Sequence, residues 1–378
     1  MRKKNIYNMK VDKQNMQEQP RFIISNFSAI EKEVLNAIDK GEEKKENTGT
    51  KFVVYGEKNR YKEFLYSLFE DNANLQSIIQ GTTSFVTAGI ESPVRFSDTD
   101  ENEDFVGHLV SDYLLFGEAY ILVCRDSNYN PKKLYWVDAQ YIRVDKDEQS
   151  YYYSEDWNKK SVGRVQTVVY PRYVEGGKDF KSIYPIKTPL SRGVYGTPIW
   201  KSAVKSVVIE NKIDDFHLNN ISNGFFPSVI INLNSGVPQD EVKAEIERDF
   251  MEKFCGAENA GRFVLSFNDS LQNKTTIEKI ETADFSEKYN TLADRARQQI
   301  YVAFGATPNL FGLPTETTGF SSQEFSESFK LYNASMVIPI QKRIKGVLER
   351  IYGREDIISF GVYQIEEGEE ITVVENND

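Results

Sequence analysis

Two cysteines and two histidines are scarce equipment for a chain of 378 residues. Cys124 and Cys255 stand alone, without a CxxC or CxH neighbour, and the histidines are His108 and His217. That supply argues against a His/Cys zinc site and against Ser–His or Cys–His catalysis. Reduced, structural cysteines are the expectation. No run of about 18 apolar residues occurs, so no membrane-spanning helix is expected. The first twenty residues are polar and basic but lack an apolar core segment, which argues against a signal peptide. There is no P-loop, no G-x-G-x-x-G opening a helix after a strand, no H-E-x-x-H and no G-x-S-x-G. No cofactor is expected and no enzymatic activity. Adjacent acidic pairs such as Asp214–Asp215 and Asp98–Asp100 are candidates for Mg²⁺ in principle, but neighbouring carboxylates on a helix point apart, and a solvated face is the simpler reading.

Basic charge is also short. Forty-six Lys and Arg face 57 Asp and Glu, a net charge of −11. Solubility alone accounts for such a balance. It also disfavours a protein that grips nucleic acid, because tight binders neutralise phosphates with cations.

The remaining composition is that of a folded protein, 40% hydrophobic and 27% charged. Its 24 Phe and 21 Tyr suit strands or subunit boundaries equally well. Residues 1–20 carry five basic and two acidic residues, opposite in sign to the whole, and 39–50 ("DKGEEKKENTGT") read as a polar link. From Lys51 a short strand and turn precede a helix bearing Phe64, Leu65, Leu68 and Phe69, then a helix through Ile78, Ile79, Phe85 and Val86 that Gly89 ends. A helix with Phe105, Leu109, Tyr113 and Phe116 stops at Gly117. "EAYILVCRD", "KLYWVDAQYIRVD", "SYYYSED" and "VQTVVYPRYVE" then read as antiparallel strands.

"YGTPIW" predicts a helix start, with Thr197 as cap and Pro198 at the first turn, running to Asn223. Trp200, Val204, Val207, Val208 and Phe216 alternate there with Lys205, Glu210, Lys212, Asp214 and Asp215. A small insert follows: strand "FPSVIINL", an acidic helix over 239–254, and strands "NAGRFVLSF" and "TTIEKIE". A second long helix carries Phe285, Tyr289, Leu292, Ala296, Ile300 and Ala303 and ends at Gly305. The loop "GATPNLFGLPTETTGF" separates it from a third, opened by a Ser321/Glu324 capping pair. That helix bears a stripe from Phe325 through Phe329, Tyr332, Met336, Ile340, Ile344 and Val347 to Ile351, with a kink expected at Pro339. "DIISFGVYQI" reads as a last strand before an acidic tail. The fold class is α+β.

Four blocks in order resemble the portal proteins of tailed bacteriophages: "DYLLFGEAYILVCRDSNYNPKKLYWVDAQYIRVD" (112–145), "RGVYGTPIWKSAVKSVVIENKIDDFHLNNISNGFFPSVIINL" (192–233), "FMEKFCGAENAGRFVLSF" (250–267), and residues 300–348 with "IYVAFGATPNLFG" and the proline-bearing helix. The segment 55–69 is a looser match.

The resemblance implies a flexible arm (1–50), an α+β wing (51–196), stem helices at 197–223 and 284–304, and a clip between them (224–283). A tunnel loop (305–322), a kinked wing helix with a final strand (323–365) and an acidic tail (366–378) follow, with the family's crown absent or vestigial. It further implies a ring, usually a dodecamer, at one capsid vertex, assembled in the host cytoplasm and retained in the virion as head–tail connector. DNA is packaged and ejected through that ring. The expected partners are the large terminase, neck or adaptor proteins, the major capsid protein and double-stranded DNA passing without sequence specificity, with no membrane. Asn309, Leu310, Phe311, Thr315, Glu316, Thr317, Thr318 and Phe320 would form the tunnel loop. Asp240, Glu241, Glu245, Glu247, Asp249 and Glu252 would face the motor or adaptor. The competing readings are a non-channel capsid or adaptor subunit of a mobile element and a Mg²⁺-dependent nucleic-acid enzyme.

Overall fold

The computed structural model describes residues 51–56, 59–157, 167–222, 229–233, 239, 242–243, 245–246, 248–249, 263–267, 276–279, 283–313, 322–364 and 372–375. Three helices open it: α1 (Tyr61–Asp71), α2 (Ala73–Thr87) and α3 (Asn102–Phe116). The Asn72 side chain accepts the Leu75 amide and caps α2. Two helices end on glycines with positive φ as the sequence predicts, α2 through Gly89 (φ 59°) and α3 at Gly117 (φ 75°).

Strands β1 (Glu118–Arg125), β2 (Pro131–Val137), β3 (Ile142–Val144), β4 (Ser150–Tyr153), β5 (Val168–Pro171) and β6 (Lys181–Lys187) build two antiparallel sheets, ordered β2-β1-β6 and β3-β4-β5. β1 is central and its residues Ala119, Tyr120, Ile121 and Val123 are fully buried. β6 is a strand that the sequence reading missed. Pro185 argues against a strand interior, but it stands opposite Tyr120 on an edge, where a missing N–H costs no ladder bond.

The next helix, α4 (Val204–Ser222), starts later than predicted. Thr197 does not cap it. Its amide donates to Ser191 Oγ, its carbonyl accepts Thr188 Oγ1, and a short 3₁₀ turn over Lys201–Ala203 intervenes. Strands β7 (Val229–Leu233), β8 (Phe263–Phe267) and β9 (Thr276–Lys279) form the insert's sheet, ordered β8-β7-β9, with β7 and β8 parallel and β9 antiparallel. A parallel pair requires a crossover, and the described residues among 242–249 are helical.

Helix α5 (Ala283–Phe304) returns to the body and ends at Gly305, φ 61°. Helices α6 (Ser322–Tyr332) and α7 (Ile338–Tyr352) are joined by a π-helical turn over Asn333–Val337. The distortion therefore precedes Pro339 rather than sitting on it. Pro339 has no N–H for the Ser335 carbonyl and its ring crowds that carbonyl; the widened turn, in which the Ile338 amide reaches Asn333 O, accommodates both. The predicted stripe survives: Phe329, Tyr332, Ile340, Ile344, Val347 and Ile351 are all buried. Ser321 of the expected capping pair lies outside the described residues. Strand β10 (Gly361–Gln364) pairs with β11 (Thr372–Glu375), so the acidic tail contains a strand that its charge concealed.

Candidate functional site

Helices α4 and α5 run antiparallel. Phe216 lies 4.6 Å from Tyr289 between ring centroids, and Glu210 faces Arg297 at 3.5 Å nearer the body. The pair brackets the β8-β7-β9 insert, as a stem around a clip would. Val204, Val207 and Val208 are buried in the body, whereas farther along Asp214, Asp215 and Leu218 are exposed. On α5 the buried side is Ala296, Ile300, Tyr301 and Phe304, and the opposite side presents Arg295, Gln298, Gln299 and Val302. Leu292, predicted within the apolar stripe, is exposed.

Glu210 departs from its expected place on the polar face. It is buried, and its two carboxylate oxygens accept from Asn72 Nδ2 at 2.9 Å and Asn74 Nδ2 at 2.7 Å. Tyr301 OH donates to Asn74 Oδ1 at 3.3 Å. Asn72 also caps α2, so one carboxylate joins the start of α2 to the roots of both long helices. The partners are remote in sequence, and charge periodicity alone cannot find them.

The loop after Gly305 is anchored at its start. Pro308–Phe311 forms a 3₁₀ turn with Leu310 buried. The Phe311 ring packs on Phe85, Tyr301 and Tyr332, and its carbonyl accepts Ser77 Oγ at 3.2 Å. A Cβ on Gly81 would come within 2.9 Å of that ring. Leu310 and Phe311, expected among the tunnel-loop residues, form a footing that packs the start of the loop against α2. Asn309 is half-buried, with its Oδ1 unpartnered among the described residues. The turn closes at Gly312, φ 87°, as the Leu313 amide reaches Pro308 O at 3.1 Å. Thr315, Glu316, Thr317, Thr318 and Phe320 lie outside the described residues.

Glu245 and Asp249 of the insert are exposed and share Arg248 at 3.8 and 3.7 Å. Asp240, Glu241, Glu247 and Glu252 lie outside the described residues. Asp215 pairs with Lys212 at 2.7 Å. Among the described residues no group of three or more His, Cys, Asp or Glu is placed to hold a metal ion. No helix among them is long and apolar enough to cross a membrane.

The body beneath these elements is cross-linked by buried charge. Lys62 and Glu118 are fully buried and ion-paired, and the Gly196 amide donates to Glu118 Oε2. Lys62 Nζ also donates to Ala139 O at 2.7 Å and Ile142 O at 3.2 Å, and sits 5.2 Å and 5.1 Å from the Tyr120 and Tyr195 ring centroids. Burial pulls its pKa down to about 8, opposed by the Glu118 charge. Beside it Gly117 and Gly196 cross at backbone contact. A Cβ on Gly117 would stand 2.2 Å from the Thr197 carbonyl carbon, and one on Gly196 2.4 Å from Gly117 O. The glycines of "LLFGEAY" and "GVYGTP" are thus two halves of one crossing.

The family model for phage portal proteins matches residues 94–367. A protein of Rickettsia bellii (strain RML369-C), described only as uncharacterised, is 25% identical over 231 residues, 58% of this chain and 54% of its own length. The phage-like element PBSX protein XkdE of Bacillus subtilis (strain 168) is 22% identical over 209 residues, 47% of this chain and 42% of its own length. The chain spans about half the length of the curated relatives it matches. Among solved structures, a chain in the neck of a native gene transfer agent particle, computed with C12 symmetry, superposes with a TM-score of 0.51 at 19% identity, covering 83% of this chain and 84% of that one. At that identity the likeness is one of fold, and it agrees with the family match, which takes in β1 to β10, both long helices and the loop between α5 and α6. The chain belongs to the phage portal protein family.

Proposed function

We propose that copies of this chain form a ring at one capsid vertex, the channel through which DNA enters and leaves the head and the platform on which the packaging motor and then the neck proteins dock. The observation that carries this reading is the antiparallel α4–α5 pair, which leaves an α+β body and brackets a separate three-stranded insert. In the ring these helices are the stem and the insert is the clip. The net charge of −11 per chain suits a wall along which phosphates slide without sticking. The described footing of the tunnel loop is then Pro308–Phe311, packed against Tyr332 and ahead of α6.

Light scattering and negative-stain microscopy of the purified protein test the ring. A closed ring with a bore able to pass a duplex is expected, and a monomer at every concentration, with or without other head proteins, would sink the reading. Deleting 314–320 should leave the ring intact but impair DNA packaging or retention. Reversing Glu245 and Asp249 to Lys should weaken motor docking while the ring still forms, and normal docking would move that interface off the insert.

A further inference from the structure

The wing carries an aromatic cavity to which the portal reading assigns no role. Trp136, Tyr141, Tyr153 and Tyr170 wall a space of about 390 Å³, and Asp138 lies among them. The walls are held rigidly. Trp136 Nε1 donates to Asp112 Oδ2 at 2.8 Å, and His108 stacks on its ring at 4.4 Å, 28° from parallel. Tyr141 and Tyr153 meet edge to face at 6.1 Å, and Tyr153 OH donates to Glu155 Oε1 at 3.2 Å. Carboxylates stand by the rings: Asp138 is in the lining, and Glu155 accepts the Tyr153 hydroxyl. Asp138 is half-buried, its Oδ1 accepts the Gln140 amide at 2.7 Å, and it makes no ion pair among the described residues. Lys62, the cation that acts on Asp138, is already paired with Glu118, and His108 stacks on Trp136. Rigid π faces around a carboxylate form a receptor for an ammonium or guanidinium group.

A cationic segment is tethered beside this cavity. Residues 1–20 hold Arg2, Lys3, Lys4, Lys10 and Lys13 against Asp12 and Glu18. The described chain begins at Lys51. Phe52 packs on Trp157 at 4.9 Å and on Tyr152 at 5.7 Å. Trp157 Nε1 donates to the carbonyl of Tyr141, which is itself a cavity wall. The thirty residues 21–50 can span at most ~100 Å, ample for a cavity adjoining the tether point. We propose that the aromatic cavity is the docking site of the basic amino-terminal arm, with an arm Lys or Arg entering between the rings against Asp138. The pairing clamps the arm on the wing, away from DNA that its cations would otherwise hold.

The test uses the full chain with p-benzoylphenylalanine at position 7 in place of Tyr7, irradiated, digested with trypsin and read by mass spectrometry. The expected photoproduct joins the arm to the tryptic peptide Leu134–Arg143, which contains Trp136, Asp138 and Tyr141. Its yield should fall about tenfold in the Lys3→Glu/Lys4→Glu double variant and in Asp138→Asn. Circular dichroism confirms that both variants fold. A photoproduct on other peptides, or one on Leu134–Arg143 indifferent to the Lys3/Lys4 reversal, overturns the proposal. So does one that appears there only after Lys159→Glu/Lys160→Glu, which would assign the cavity to that nearer basic segment.

Discussion

The wing body and the α4–α5 hairpin use the same kinds of residue to opposite ends. In the body even charge is internal: Lys62, Glu118 and Arg143 are fully buried and bonded to one another's neighbourhood. On the hairpin even apolar residues are external, with Leu218 62% and Val302 69% exposed. The body exposes apolar residues too, Phe180 at 56% and Leu190 at 67%, so its buried charge is what sets it apart. The hairpin is finished only against another surface, which in the proposed ring is the neighbouring subunit and the channel. Substitutions of matched size should consequently cost folding in the first region and assembly in the second.

The sharpest break of that contrast sets Gly196 against Gly305. Gly196→Ala places a Cβ 2.4 Å from the Gly117 carbonyl oxygen, between two backbones that cannot separate without pulling Glu118 from Lys62. The expected loss is more than about 4 kcal/mol, enough to unfold a marginal domain. Gly305→Ala has a positive φ but nothing within 4 Å of its new Cβ, and should cost only about 1–2 kcal/mol of conformational strain. Urea unfolding measures both, and equal losses would refute the crossing as the cause.

Next in size is Lys62→Met, which strands Glu118 in the body. About 3–5 kcal/mol should be lost, with most of it recovered when Glu118→Gln is added, since the amide oxygen still accepts the Gly196 N–H. The pH profile separates charge from packing. Lys62 has a folded pKa of about 8, below its unfolded value, so between about pH 8 and 9.5 the unfolded state binds more protons at this group, and wild-type stability should gain on that of Lys62→Met as pH rises. Buried tyrosines such as Tyr61 and Tyr332, both pushed up to about 12, lower stability as pH climbs toward 10 in both proteins alike, so the difference between the two profiles isolates Lys62. Wild-type and Lys62→Met profiles that run parallel from pH 8 to 9.5 would contradict a buried Lys62 charge.

These two regions also differ in how far they could be read in advance. Helix spacing and glycine stops are local signals. They located the exit of α3 at Gly117, the end of α5 at Gly305 and the stripe from Phe329 to Ile351. The contacts that define the body are not local. Lys62 meets Glu118, and Glu210 meets Asn72, through chain separations that no periodicity records. Local signals misled where tertiary partners claimed the same atoms. Thr197–Pro198 has the form of a helix start, yet Ser191 and Thr188 occupy the backbone groups that a cap would use. Leu310 and Phe311 sit in a loop by composition and in the core by contact. The acidic residues of the insert could be counted in the sequence, but a count does not supply their partners.

On the hairpin the expected signs reverse. Val302→Asp and Leu218→Asp should each leave the chain's unfolding free energy within about 0.5 kcal/mol of wild type, since neither side chain is buried in the body. Sedimentation or light scattering should instead show loss of the ring. A variant that unfolds as readily as Gly196→Ala would show that the hairpin is part of the packed body after all.

The smallest effect is expected at Pro339, where the two regions' logics meet in one helix path. Proline accounts for the π turn by removing a donor, but removing the proline need not remove the turn. Ahead of it, Tyr332 OH lies 2.6 Å from Thr82 Oγ1 and Phe329 is buried against Phe85. Beyond it, Ile340 and Ile344 are buried and Gln341 Nε2 donates to Val86 O at 3.2 Å. Returning the turn to α geometry would rotate one set of contacts past the other by about 100°. Both sets lean on α2, so the packing holds the turn in place whether or not position 339 has an amide. Pro339→Ala should therefore shift stability by less than about 1 kcal/mol, and its new amide should exchange slowly once it bonds within the helix. A change beyond about 3 kcal/mol, or an unprotected amide at 339, would mean that the proline itself, rather than the packing of Tyr332 and Ile344 on either side, sets the course of this helix.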